Sequence, residues 1–291
     1  MQRRQFVTIL GATMLFQPFR SLGHLSHSLP ENGEVMPVLF VGHGSPMNGI
    51  EDNEFSRYWT KLAQEITRPT AVLCISAHWL TRGTYITAMP SPRTIHDFGG
   101  FPQALFDVQY PAPGSPDMAS QVSGMIQHTQ VLHDHDWGLD HGTWTVVRHM
   151  YPEADIPVLQ LSIDISQPAS FHYELGKSLA DLRRKGVLII GSGNMVHNLG
   201  MVAWDKLDQS FGFDWAIEMN ALFKEKITNN DHKALIQFES LNPAAKLAIP
   251  TVDHYFPLLY TLGLKTDKDE VSFFNDKALA GSLTMTSVRI G

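Results

Sequence analysis

Three short apolar runs each end in a small-residue turn followed by a histidine. Val38–Val41 leads into Gly42-His43-Gly44, and Val72–Ile75 into Ser76-Ala77-His78. Val187–Ile190 leads into Gly191-Ser192-Gly193-Asn194, with His197 just beyond. Runs this short and continuously apolar suit strands covered on both faces, as in a parallel sheet. Further strands are expected at 84–89, 157–163 and 283–290, the first three spanning 37–41, 70–76 and 187–191. Helical patterns lie between them, at 54–67, 116–128, 142–150, 214–228 and 253–262. Another opens at Pro168, repeats Phe171, Leu175, Leu179 and Leu182 on one face, and closes at Gly186. Strands alternating with helices define an α/β class. The expectation is one domain with a central, mainly parallel mixed sheet and helices on both faces. In such sheets ligands bind beyond the carboxyl ends of the strands, where His43, His78 and His197 would all lie.

The bulk numbers narrow the chemistry. With 43% hydrophobic residues among 291, the chain can build a large core. A formal charge of −7 provides no basic stripe for a phosphate backbone, so no nucleic-acid partner is expected. One cysteine, Cys74, sits in an apolar run and reads as a core residue, so a metal site must be built from His, Asp or Glu. The sequence holds 14 histidines.

Residues 1–35 read as an export-signal-like segment and linker. Arg3-Arg4 precedes an apolar stretch from Phe6 to Phe16, too short to span a bilayer, so no stable membrane insertion is expected. Arg3-Arg4-Gln5-Phe6-Val7 resembles a twin-arginine signal, which implies a periplasmic protein; a cytoplasmic one is the alternative. His24 and His27 fall in the linker.

A lone histidine is more often structural than functional, so context decides. Gly42 and Gly44 let the chain turn sharply around His43 and leave room beside its ring. Ala77 and Trp79 flank His78. His141 sits against Gly142 near Trp137 and Trp144, and His96 lies in an aromatic-glycine loop. On position alone, His254 reads equally as a helix-start side chain or a functional one. His128, His133, His135, His149, His172 and His232 read as surface or packing residues. The set suits a non-haem metal site, since imidazole suits zinc and iron. The chain has no H-E-x-x-H helix and no G-x-S-x-G elbow.

The segments "GHGSPMN", "SAHW", "TIHDFGGFPQALF", "YPAPGSP", "DHGTW", "VLQLSID", "GSGNMVHNL", "DHYFPLLY" and "GSLTMTSVRIG" resemble the extradiol ring-opening dioxygenases of the LigB superfamily, in particular the DOPA 4,5-dioxygenase branch with its bacterial members. The resemblance runs from about Met36 to Gly291 and implies a catalytic domain over 36–291. It implies one divalent metal, Fe2+ as the working metal or Zn2+ on the same imidazoles. His43, His78 and His254 match metal ligands. His197 matches a histidine that is either a ligand or the acid/base, and His141 a catalytic histidine facing the substrate. A third histidine departs from the two-His, one-carboxylate triad of other oxygenases. The substrates implied are a DOPA-like aromatic diol and O2, on a monomer or small homo-oligomer. Trp79, Phe98, Phe101, Trp144 and Tyr255 are candidates to sandwich the ring, with core packing expected for at least half. A zinc-dependent hydrolase and a non-catalytic zinc-binding protein on the same fold are the alternatives.

Overall fold

The computed structural model describes residues 35–207 and 209–291. The export-like segment therefore lies, up to residue 34, outside the described residues. Six strands form the central sheet: β1 Val38–Gly42, β2 Ala71–Ser76, β3 Val158–Gln160, β4 Val187–Gly193, β5 Val271–Phe274 and β6 Ser287–Ile290. Their order is β3-β2-β4-β1-β6-β5. The first four are parallel neighbours, whereas β6 is antiparallel to both β1 and β5. This is the expected mainly parallel mixed sheet.

Register matters more than strand count. Gly42 pairs with Gly193, and Ser76 and Val41 both pair with Ser192. The carboxyl ends of β1, β2 and β4 are therefore level, and whatever follows each strand emerges at one edge.

Six helices are used below: α1 Glu54–Glu65, α2 Pro116–Met125, α3 His141–Met150, α4 Ala169–Ser178, α5 Asp214–Thr228 and α6 Phe256–Gly263. The first is started by a capping box between Asn53 and Ser56, the second by Ser115 with Pro116 at its first position. Asp140 caps α3 through the Thr143 amide. Trp59 and Leu62 of α1, with Trp144 and Val147 of α3, pack against Leu39, Val41, Val72, Cys74, Leu188 and Ile190. Strand alternation sends Phe40, Leu73, Ile75 and Ile189, all buried, to the opposite face. There α6 lies close against β4, and the Pro257 carbonyl and Thr261 methyl leave no room for a side chain at Gly191. Each fully buried Leu or Ile of this core contributes roughly 1.5–3 kcal/mol, so truncating Leu188 to Ala costs about 2–5 kcal/mol.

Several elements differ from the sequence expectation. The helix expected from Pro168 to Gly186 breaks at Leu179 into Ala169–Ser178 and Ala180–Arg184. The strand near 84–89 is Thr84–Thr87, which pairs with Val131–Asp134 outside the central sheet. The 283–290 run divides into Leu283–Thr284 and Ser287–Ile290. The edge strand β5 was not expected, because a short, partly exposed edge carries too little apolar signal to separate it from a loop.

Candidate metal centre

The turn after β1 presents His43, the turn after β2 His78, and the segment after β4 His197. Opposite them, α3 begins with His141 and the turn before α6 carries His254. The ring of His43 lies 5.0 Å from that of His78, 5.4 Å from His141 and 5.3 Å from His254, centroid to centroid. His78 is 3.9 Å from His141 and 5.0 Å from His254. His197 stacks on His254 at 3.5 Å. Five histidines spread over more than 200 residues of chain thus meet at the carboxyl edge of the sheet.

Two close approaches make the convergence possible. A side chain at Gly142 would collide with Ser76 Oγ and the His78 ring, so glycine lets α3 start against β2. A side chain at Gly193 would collide with the His254 carbonyl, which accepts the Asn194 amide at 3.0 Å.

The outward nitrogens of His43 and His141 are anchored by hydrogen bonds. Ser192 Oγ donates to the Gly142 carbonyl at 2.5 Å, so its one proton is committed. His43 Nδ1, 2.9 Å from the same oxygen, must therefore be the donor. That fixes His43 as the Nδ1–H tautomer with a bare Nε2 lone pair. Asp97 Oδ2 lies 2.9 Å from His141 Nδ1 and 3.4 Å from His78 Nδ1. Burial works against the charge on Asp97, but the His141 side chain and the backbone amides of His141 and Asp97 together outweigh it and hold the carboxyl below its ordinary range. An ionised carboxylate only accepts, so His141 Nδ1 carries hydrogen and its Nε2 is bare. His78 Nδ1 faces the same oxygen at ion-pair distance, and the carboxylate favours its proton on that side. Asp253 Oδ2 stands 3.2 Å from His254 Nδ1.

His78 Nε2 and His43 Nε2 are 3.0 Å apart. With the tautomers that Ser192 and Asp97 favour, two lone pairs face each other at hydrogen-bond distance. Protonation does not resolve this: burial first, then the neighbouring rings, push both histidines well below their ordinary pKa. A cation with an appetite for imidazole nitrogen does, and the donor set therefore fits a metal. Behind it, the fully buried Asp140 accepts from Ser76 Oγ and from Gln160 Nε2, both at 2.7 Å. Burial, then the nearby Asp97, raise its pKa.

Two triplets share His43 and His78. By ligand-atom separation the third member is His141, all three atoms lying within 4.8 Å of one another. By ring spacing it is His254: imidazoles around one ion have centroids roughly 5 Å apart when metal–nitrogen bonds are about 2.0–2.1 Å. The 3.9 Å between His78 and His141 is tight for that arrangement.

Of the candidate aromatic residues, Phe98 meets the site, its ring edge-on to His141 at 5.6 Å. It is backed by Phe101 at 5.4 Å and Phe106 at 5.1 Å. Trp144 and Tyr255 are core residues, their polar atoms bonded to the carbonyls of Ile95 and Leu235. Trp79 is buried and stacks on Trp137. His96 donates to or accepts from no site residue; its Nε2 bonds the Val108 carbonyl. Sequence reasoning missed Asp97, Asp253 and the anchoring role of Ser192. Only Asp253 had a local signal, a carboxylate next to the histidine it faces in Val252-Asp253-His254.

A buried histidine cluster at the carboxyl edge of an α/β sheet, anchored by serine and aspartate, defines a metalloenzyme site. Residues 35–279 match the family model described as the catalytic LigB subunit of aromatic ring-opening dioxygenase. The chain belongs to this family and is an extradiol aromatic ring-opening dioxygenase. It is 46% identical over 260 residues to a 4,5-DOPA dioxygenase extradiol of Escherichia coli K12, covering 88% of this chain and 95% of that one. A protein of the same description from Beta vulgaris is 33% identical, covering 88% and 96%. Among solved structures, an uncharacterized E. coli K12 protein superposes with a TM-score of 0.76 at 41% identity, over 88% of this chain and all of that one. Among the described residues, no helix is long and apolar enough to cross a membrane.

Proposed function

We propose that the chain opens the ring of a DOPA-like catechol with O2, using one divalent metal held by His43, His78 and His254. The observation that carries this is the close approach of the Nε2 atoms of His43 and His78, 3.0 Å apart. Ring spacings of 5.0 to 5.3 Å favour His254 as the third ligand. Its own carboxylate neighbour, Asp253, is of the kind that orients metal-binding imidazoles. The names of the relatives support the substrate class.

When bound, an Fe2+ or Zn2+ ion supplies Lewis acidity toward the diol oxygens, and Fe2+ in addition an electron path to O2. The rest falls to side chains. His141 receives a phenol proton at Nε2, because its Nδ1 already donates to Asp97. The imidazolium so formed is stabilised by the Asp97 carboxylate 2.9 Å away. Phe98 sets an aromatic wall beside the proton acceptor. His197, stacked behind His254, is the second candidate for proton transfer or a further ligand.

The test is oxygen uptake with a panel of catechols after anaerobic Fe2+ loading, followed by spectra of the ring-opened product. Uptake with DOPA, matched by one product per O2, is the expected result; no uptake with any catechol overturns the reading. We also propose that residues 1–35 direct export by the twin-arginine route and 36–291 form the catalytic domain. Cell fractionation of the intact chain and of an Arg3→Lys, Arg4→Lys variant tests the export.

A further inference from the structure

We propose that Asp97 is the positioning residue of the site: one carboxylate that fixes the tautomer and orientation of both His78 and His141, and so couples metal holding to proton transfer. The proposal rests on the reading above, in which His78 is a ligand and His141 the proton acceptor.

The geometry is specific. Asp97 Oδ1 accepts the His141 backbone amide at 2.9 Å, and Oδ2 accepts His141 Nδ1 at 2.9 Å. The same Oδ2 is 3.4 Å from His78 Nδ1. Both carboxylate oxygens are therefore committed to donors, and both rings turn their Nε2 atoms away from Asp97. The amide partner belongs to the first turn of the ten-residue helix α3, where a negative charge is also favoured by the helix dipole.

Asp97 is not free to drift. Its loop is tied to the segment before α3 by Ile95 N to Leu139 O at 2.7 Å and Leu139 N to Arg93 O at 2.8 Å. Trp144 Nε1 donates to the Ile95 carbonyl at 2.9 Å, from inside α3 itself. Loop and helix therefore move as one, and the carboxylate is held where the two imidazoles need it. Neither ring has another anchor for its Nδ1 among the contacts of the described residues.

Replacing the carboxylate by an amide separates positioning from mere packing. Asparagine has the same shape but only one accepting atom. If it accepts the His141 amide, its NH2 faces Nδ1, and the ring must present a lone pair there and carry its proton on Nε2. The experiment is two-bond 15N–1H correlation on 15N-histidine-labelled, metal-free protein, with the two rings assigned by His78→Gln and His141→Gln variants. Zn2+ affinity is measured by chelator competition in parallel. In the unaltered protein both rings should show the Nδ1–H tautomer. Asp97→Asn should move His141 to the Nε2–H tautomer and weaken Zn2+ about 10–100-fold, although Asp97 touches no metal. Asp97→Glu, which restores the charge, should keep the Nδ1–H tautomer.

An Nε2–H tautomer for either ring in the unaltered protein overturns the proposal. So does an Asp97→Asn protein in which either the His141 tautomer or the Zn2+ affinity is unchanged. A purely structural Asp97 would lower the melting temperature in both variants and leave both readouts alone. Because tautomer and Zn2+ affinity are read without turnover, failure of oxygen uptake in the unaltered enzyme overturns the catechol reading separately.

Discussion

His197 and His254 stack face to face, with ring centroids 3.5 Å apart and planes 7° from parallel. The contact joins the segment after β4 to the turn before α6. Burial first, and then the proximity of His254, push the His197 pKa down to about 3, so this ring is neutral and stacks without charge repulsion. The ring contact of His197 with the cluster runs through His254. His197→Gln is therefore expected to retain metal while losing turnover by about 10²–10⁴-fold, the range for a proton-transfer group. Metal content and single-turnover O2 consumption on one preparation check this; loss of metal would instead make His197 a ligand.

His43→Ala and His78→Ala should each lose the metal and keep the fold. Both side chains sit beyond strand ends, so removing them opens no cavity in the packed sheet. Addition of Zn2+ to the unaltered protein at about 100 times its Kd should stabilise it by about 2.7 kcal/mol, visible as a higher melting temperature. That increment should vanish in both variants. The third ligand is decided by the same assay: His254→Ala should lose metal, whereas His141→Ala should keep it and lose rate. The reverse pattern would assign the third position to His141.

Gly142→Ala tests the close approach of α3 to β2. The new methyl group has to displace Ser76 Oγ or the His78 ring. Overpacking of this kind costs typically 1–3 kcal/mol, and here the strain falls on a metal ligand. The variant should melt lower than the unaltered protein and also bind Zn2+ more weakly. A normal melting temperature with normal affinity would mean that the helix start yields freely.

His172 makes folding stability depend on pH. It is fully buried, packed in a tilted ring contact on Phe256 at 4.3 Å, and bonded through Nδ1 to the Tyr260 hydroxyl at 3.0 Å. Burial lowers its pKa from 6.5 to about 4. The folded value lies below the unfolded one, so the unfolded chain takes up the proton first as pH falls. The stability is complete above about pH 6.5 and declines until about pH 4, by roughly 3 kcal/mol from this residue alone. Urea denaturation of metal-free protein at pH 7 and pH 4.5 should show a smaller loss in His172→Gln than in the unaltered chain. Equal losses would assign the acid sensitivity to the other buried histidines.

Much of the site could be read along the chain because its parts lie next to strong local signals. His43 and His78 follow apolar runs that suit buried strands, and a parallel sheet places such residues at one edge. His141 and His254 were found through their neighbours, Gly142 in one case and a resemblance in the other. Asp97 was passed over because nothing local separates a carboxylate in a glycine-aromatic loop from a solvated one. Its role appears only when the loop is tied to Leu139 and Trp144 and the side chain reaches the α3 amide. Likewise Ser192 read as a turn residue until its proton was found committed to the Gly142 carbonyl.

The sequence by itself determined the α/β class, the strands that end at the site, and an imidazole chemistry with the single cysteine buried and out of play. These follow from periodicity and residue type, which are local properties of the chain. Only the tertiary structure decided which nitrogen of His43 and of His141 is bare, because a tautomer is set by the partner on the far side of the ring, and here those partners come from other segments: Ser192 lies 149 residues from His43, and Asp97 44 residues from His141. The level register of β1, β2 and β4 is likewise a product of strand pairing. It is that pairing, made across the whole chain, which brings the Nε2 atoms of His43 and His78 to 3.0 Å.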